Sequence, residues 1–500
     1  MEDWKRVKLT ELADFINGYA FKPSDWHKDG LPIIRIEQLK NPQAKCDFYS
    51  GEIPEYNIID DGDLIFSWSA SLFLKMWDRG KAALNQHLFK VVNFGSVNKL
   101  FLKYLIEYNL AELTKTAHGS TMQHITRKDL NKFYVNLPDD MVKQTQIATI
   151  LSKTDQAIEQ TEKLIAKYQR IKTGLMQDIL TKGIDENGDI RSEETHEFKD
   201  SLVGRIPIGW RISKFEHITP PDAPICYGII QPGKHDHNGI PVVAIWNLQG
   251  DFTNIHRSSR EIESKYKRSR IRPGDVLLSV KGTTGKVKVV PSWFNGNISR
   301  DIARIRPGEG ALSQYLRYML ESSLFQRHLG NAVVGTTRAE ISIGILRQLH
   351  LALPPIDEQQ RIASILQETD NRICAERLDR YKLIKIKTGL MQDLLTGKVR
   401  VTVRNTGQSM NRKNSCPASL CCIWAEITDW MWSHRITRAS VSKSCQPIAS
   451  RLFRSWYFNK AKEKIIPKVR FYAKKLGVTY NKVMVSDLKY RWGSCTPGTT

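Results

Sequence analysis

The sequence predicts a mixed α/β protein: two globular domains separated by two long helices that pair as an antiparallel coiled coil, with an internal pseudo-two-fold duplication. Three observations predict it. A heptapeptide recurs far along the chain, apolar residues keep a heptad spacing after each of two proline-marked boundaries, and short strand-like runs follow Gly-Asp pairs.

The duplication comes first. KTGLMQD stands at Lys172–Asp178 and again at Lys387–Asp393, 215 residues apart. Upstream, Ile147–Leu151 parallels Ile362–Leu366, and Thr154-Asp155 parallels Thr369-Asp370. Gly119-Ser120-Thr121 with Ile125-Thr126 parallels Gly335-Thr336-Thr337 with Ile341-Ser342, and Gly62–Ser67 parallels Gly274–Ser279. Solenoid repeats have periods of tens of residues, so a period this long marks a duplicated domain. Such a protein suits a partner that is itself repeated or two-fold symmetric.

Each globular part mixes strand-like runs (Leu31–Ile36, Asp63–Ser67, Gly239–Ile245) with helical pattern at Leu100–Leu113 and Leu312–Leu329. Each ends at a proline boundary, Pro138 or Pro354-Pro355. From Ile147 the apolar or small positions run 147, 151, 154, 158, 161, 165, 168, 175 and 179, a heptad seam broken only at Lys172, where Ile171 can substitute. The second copy runs Ile362, Leu366, Thr369 and Ile373, is interrupted by Glu376 and Arg380, and resumes at Leu383, Leu390 and Leu394. About 40 residues at 1.5 Å each give a rod of roughly 60 Å. From periodicity alone, a plain dimerisation zipper competes with any more specific role for these helices.

The expected organisation is therefore a globular domain over 1–140, a helix and linker over 141–200, a second globular domain over 201–355 and a second helix over 356–404. An anomalous stretch follows over 405–446, then a distinct segment over 447–500. No signal peptide and no apolar run of membrane-spanning length occur, so the expected location is the cytoplasm, with no membrane contact. The net charge of +23 is unevenly spread: 18 basic against 19 acidic residues over 1–140, 21 against 11 over 201–355, and 17 against 4 after 404. Net charge alone does not establish nucleic-acid binding here. Five of the eight cysteines follow residue 404, and a disulfide framework is not expected.

The residues Gly18-Tyr19-Ala20-Phe21-Lys22, Gly62–Ser71, Asn85-Gln86-His87, Gly119–Leu130, the helix ending LMQDILTKG and Gly274–Val290 resemble type I restriction-modification specificity subunits over about residues 1–404. The resemblance implies two target-recognition domains, each reading one half of a bipartite site on double-stranded DNA. It implies a helix pair that acts as a ruler and docks methyltransferase subunits, with motor-nuclease subunits completing the complex. It also implies no catalysis and no cofactor or metal of the chain's own, since S-adenosylmethionine, ATP and Mg²⁺ belong to the partners.

Candidate DNA-binding residues follow from hydroxyl, amide and cationic chemistry. Lys281, Thr283, Thr284, Lys286 and Lys288 crowd a loop whose Gly282 and Gly285 permit close backbone approach. It is not a Walker A loop, lacking that motif's spacing and its Ser/Thr after lysine. A surface hairpin is the competing reading. In the first copy the matching stretch holds Ser69 and Ser71 with no charge before Lys75, leaving Gln86, His87 and Gln123 to read bases. Tyr19, Lys22, Arg300, Ser120, Thr121, Thr336, Thr337 and Arg338 complete the set, and for each a turn-forming or solvated role competes with base contact. A rod of roughly 60 Å caps the separation of half-site centres near about 17 base pairs.

Residues 405–446 hold four cysteines and three tryptophans in no hydrophobic period, and the cysteine spacing fits no standard zinc pattern. Trp456-Tyr457 through Arg491–Cys495 resemble the opening of a small zinc metallopeptidase family, cut before its H-E-x-x-H. The one His-Glu pair, His196-Glu197, has Asp200 where a second histidine belongs. The alternative reading is an inactive fused or frameshifted specificity protein. A methyltransferase reading fails for want of N-P-P-[FY] or D-P-P-Y.

Overall fold

The computed structural model describes residues 4–69, 71–116, 124–332 and 340–401. The described chain forms two compact units, one running up to Leu164 and resuming from Glu376, the other running from Ile165 to Ala375. Each long helix therefore gives its first part to one unit and its last part to the other.

In the first unit, a four-stranded antiparallel sheet orders Ala13–Asn17, Leu88–Asn93, Leu64–Ser67 and Phe73–Met76. A second sheet orders Phe48–Tyr49, Leu31–Ile34, Ala82–Leu84 and Ile58–Ile59, with Leu31–Ile34 parallel to Ala82–Leu84. Trp4–Lys8 pairs with Tyr134–Pro138 and so returns the chain to its start before the first long helix. Leu64–Ser67 is buried at all four positions, as expected of an apolar run with no polar face. The core joins Phe15, Phe66 and Phe89 to Leu102 and Leu105 of the helix Lys99–Thr116. It is completed by Ile147 and Leu151 from the first long helix and Leu394 and Leu395 from the second.

The second unit repeats the first of these sheets and three strands of the other. Cys226–Tyr227, Ile302–Ile305, Val276–Ser279 and Val287–Val289 form one antiparallel sheet. Arg257–Ser258, Ile240–Val243 and Asn297–Ile298 form another, and Arg211–Lys214 pairs with His350–Leu353. Its largest cluster joins Trp210, Tyr315 and Tyr318 to Leu175 and Ile179 of one long helix and Ile362 and Leu366 of the other.

The long helices span Met141–Ile179 and Ile356–Leu395. A fully buried glutamine sits near the start of each. Gln144 donates to the Pro138 carbonyl at 2.9 Å and accepts from the Asn98 amide at 2.8 Å. Gln359, 215 residues on, donates to Pro354 and accepts from Leu312, both at 2.9 Å. Just past the helix ends, Trp210 lies against Gly183 and Trp4 against Gly397, where an added Cβ would come within 2.8 Å of each ring. Of the seam positions, Ile147, Leu151, Leu175 and Ile179 are buried, whereas Ile158, Thr161 and Ile165 are only half-buried. Ile171 is buried beside half-buried Lys172. The charge that interrupts the second seam has a partner: Arg380 Nε meets Glu162 Oε1 at 2.6 Å.

Two local expectations are corrected. The pattern over Leu312–Leu329 is not one helix but two, Ser313–Glu321 and Ser323–Asn331. Ser322 adopts an extended conformation between them and accepts the Phe325 amide as an N-cap. The strand expected over Leu31–Ile36 ends at Ile34, because Ile36–Lys40 turns into a short helix whose Gln38 side chain caps the Arg35 amide.

Candidate nucleic-acid interface

Two backbone bridges organise the candidate residues in each unit. In the first, Tyr19 bridges Asn85 and Ser69 bridges His124, with the Ile125 amide donating to the Trp68 carbonyl at 3.1 Å. In the second, Ile229 bridges Ser299 and Lys281 bridges Glu340, with the Ile341 amide donating to Val280 at 2.8 Å. Gly18 and Gly228 precede the first bridge of each pair, and neither can carry a side chain: a Cβ would collide with the carbonyls of Leu84 and Asn85, or with that of Ile298. The frame is thus the same in both units, and the side chains mounted on it differ.

In the first unit ring contacts link several of these side chains. Tyr19 packs on Phe21 and Tyr49, at centroid distances of 5.0 and 6.1 Å. His87 is exposed and lies 5.9 Å from the Trp68 ring, which in turn lies 5.7 Å from His124. Ser69 is buried at its bridge, while the Ser71 hydroxyl meets Lys40 Nζ at 2.5 Å. Lys75 is half-buried and donates weakly to the Leu39 carbonyl at 3.4 Å. Lys22 is exposed at a short turn, its amide bonded to Asp25. Three buried polar atoms here, Gln86 Oε1, Trp68 Nε1 and His124 Nδ1, have no hydrogen-bond partner among the described residues. A buried polar atom without a partner costs about 1–3 kcal/mol, so these three are sites where water or a ligand group would be accepted.

The second unit places Lys281–Lys286 at the turn between Val276–Ser279 and Val287–Val289, with Lys288 on the second of these strands. The ammonium of Lys281 is already engaged, 2.7 Å from Glu340 and 5.1 Å from the Tyr227 ring centroid. Lys288 Nζ donates to Gly250 at 2.9 Å. Lys286 and Thr283 are exposed and Thr284 is half-exposed. The expectation of three ammonium groups all presented by this loop is therefore corrected: two are engaged within the unit. Gly285 holds a positive φ of 84°, and Gln326 packs where its Cβ would be. Arg300 is exposed beside Asp301, and buried Ser299 Oγ has no hydrogen-bond partner among the described residues. Ser120, Thr121, Gln123, Thr336, Thr337 and Arg338 lie outside the described residues.

Sequence reasoning did not single out Trp68, Asn85 and Asp301, although each adjoins a named candidate in sequence, and it missed His124 and Glu340, which only the bridges bring beside Ser69 and Lys281. It also missed a basic strip. From Arg257 to Arg272 stand seven cations, all exposed, of which Arg257 donates to the Gly239 carbonyl. Arg270 pairs with buried Glu263, whose carboxyl is held below its usual range by that hydrogen bond despite burial. The strip's backbone is pinned by buried Arg304, which donates to the carbonyls of Arg268 and Arg270. Anchored on Gly62-Asp63 against Gly274-Asp275, the matching stretch of the first unit carries Asp47, Glu52, Glu55 and Asp60 against a single cation, Lys45. One unit thus offers a run of phosphate-neutralising charge where the other is acidic.

Comparison with known proteins bears on these surfaces. The model of the type I restriction modification DNA specificity domain matches residues 1–169 and 231–385. The specificity subunit of type I restriction enzyme EcoBI from Escherichia coli is 26% identical over 381 residues, 73% of this chain and 79% of that protein. That of MjaVIII from Methanocaldococcus jannaschii is 26% identical over 425 residues, 80% of this chain and 94% of the other. The solved S subunit of the M. genitalium type I system superposes with a TM-score of 0.49 at 13% identity, covering 78% of this chain and 96% of that one. Residues 428–500 match a YgjP-like metallopeptidase domain, a match that starts upstream of the boundary expected at 447.

Proposed function

The chain belongs to the type I restriction-modification DNA specificity family, and from that membership we propose how its parts do the work. It is the non-catalytic subunit that gives such a complex its DNA sequence, binding double-stranded DNA and assembling with methyltransferase and motor-nuclease subunits. The observation that carries this is the double match of the family model, once in each copy of the internal duplication.

We infer that residues 1–140 and 201–355 are the two target-recognition domains and that each reads one half of a split site. The bridged side chains, Tyr19 to Ser69 in one unit and Ile229 to Lys281 in the other, are the favoured reading edges. Their shared frame and differing side chains support two unlike half-sites. The helices over 141–179 and 356–395 are read as an antiparallel coiled coil with a pseudo-two-fold axis that fixes the spacer. Support comes from the repeated buried glutamines and from the alternation of helix parts within each unit. We place the protein in the cytoplasm. No helix among the described residues is long and apolar enough to cross a membrane.

The test is co-purification with methyltransferase subunits followed by methylome sequencing. The expected result is a bipartite methylated motif with one fixed spacer. A contiguous motif, or neither partner nor motif, overturns the reading.

A further inference from the structure

The repeated heptapeptide begins with a lysine, and in both units that lysine closes the same half-buried polar cluster. In the first unit, Lys387 Nζ lies 2.7 Å from Asp155 and 3.4 Å from Glu107. Asp155 also accepts from the Tyr104 hydroxyl at 2.8 Å and from Lys103 at 3.3 Å. In the second, Lys172 Nζ lies 2.6 Å from Asp370, which accepts from Tyr318 at 2.9 Å and from Arg317 at 3.0 Å, while Glu321 lies 3.8 Å from Lys172. Both tyrosines are essentially fully buried. The correspondence is residue for residue: 215 positions separate the lysines and the aspartates, and 214 separate the tyrosines and the glutamates.

Each cluster joins three helices within its unit. One aspartate on a long helix is bonded at once to the other long helix, through the repeated lysine, and to a helix of the globular part, through the tyrosine. The neighbouring seam specifies little, because its middle positions are half-buried and include Thr154 and Thr161, whose hydroxyls bond back to their own helix at 3.1 and 2.8 Å. An apolar seam slides at modest cost, whereas a half-buried charge network does not. A shift of one residue moves a helix by 1.5 Å and turns it by 100°, which separates every pair in the cluster. Single polar contacts in helical seams are known to set register in this way.

We propose that Lys172–Asp370–Tyr318 and Lys387–Asp155–Tyr104 are specificity-determining clasps that fix the seating of each reading domain on the helices, and through it the spacer length between half-sites. This rests on the split-site reading above. The residues act by positioning and touch no base.

The test compares methylomes of the assembled complex carrying wild-type chain, the pair Lys172→Met with Lys387→Met, and the pair Lys172→Arg with Lys387→Arg. The methionine pair should keep both half-site sequences while discrimination against spacers one base pair longer or shorter falls by about tenfold or more, the scale of a local coupling between neighbouring side chains. The arginine pair should retain the single spacer. A methionine pair that assembles and keeps a strictly fixed spacer overturns the proposal, as does one that changes the half-site bases. If the methionine pair does not assemble, Tyr104→Phe with Tyr318→Phe keeps the rings and removes the hydroxyl bonds to aspartate, together with the longer Tyr318–Gln367 contact at 3.4 Å. Its spacer should relax in the same direction, and a fixed one overturns the proposal. A wild-type complex with no split motif would instead sink the functional reading itself.

Discussion

Tyr104 and Tyr318 hold their protons far beyond the ordinary tyrosine range, first because burial opposes a phenolate and then because Asp155 or Asp370 stands beside the hydroxyl. Above about pH 10 an unfolded tyrosine has lost its proton while the folded one keeps it, so the folded state binds more protons and stability must fall as pH rises. Below that the two states agree and these residues confer no pH dependence. Alkaline titration followed by tyrosinate absorbance should show a late class that ionises only on unfolding, and Tyr104→Phe with Tyr318→Phe should shrink it. Asp155 has the opposite sense. Burial alone would raise its carboxyl, but Lys387, Lys103 and Tyr104 hold it below the usual range. Its contribution is present at neutral pH and is lost as pH falls below about 4, through its lowered value. At Gly228 the constraint is steric: Gly228→Ala drives a methyl into the Ile298 carbonyl. We expect a loss of about 1–3 kcal/mol in chemical denaturation, in the range for overpacking.

At the scale of elements, the long helices were legible because a heptad period is a strong and local signal. Even the substitution of Ile171 for Lys172 could be read, since neighbours on one face are neighbours in sequence. The break at Ser322 was not, because an N-cap serine interrupts no apolar period. The bridges behind the candidate interface were invisible for another reason: Ser69 and His124, or Lys281 and Glu340, are neighbours only once the sheet has formed. Thus Ser69 and His87 were named for their hydrogen-bonding chemistry, while Trp68 and His124, within the family-like stretches, gain their place only from contacts across the sheet. The buried glutamines lead to a prediction. Gln359→Leu leaves the Pro354 carbonyl and Leu312 amide without partners, and should cost about 1–3 kcal/mol in a denaturant titration. Gln144→Leu should act alike, through Pro138 and Asn98.

For the molecule as a whole, the unlike charges of the two units predict unlike contributions to DNA affinity. Lys267, Arg268 and Arg272 are exposed in the second unit and have no counterpart in the first. Replacing all three by alanine should lower the slope of log affinity against log salt by about 0.9 for each phosphate left unneutralised, with no change in the bases read. Comparable substitutions in the first unit, such as Glu52→Ala and Glu55→Ala, should leave the slope nearly unchanged. Fluorescence titration across a salt series measures both. Net charge hid this contrast, because it sums a neutral first domain with a basic second one.

The first unit's core draws on Leu394 and Leu395, encoded more than two hundred residues after Leu137. On a ribosome adding about 5–20 residues per second, the early strands must wait roughly 10–50 s for the segment that completes them. The second unit, continuous from Ile165 to Ala375, has no such wait. The order of synthesis is therefore inverted at the level of folding: the half made first is finished last. Such a chain leaves an unclosed apolar surface in the nascent state, so the first unit rather than the second is where chaperone dependence should concentrate.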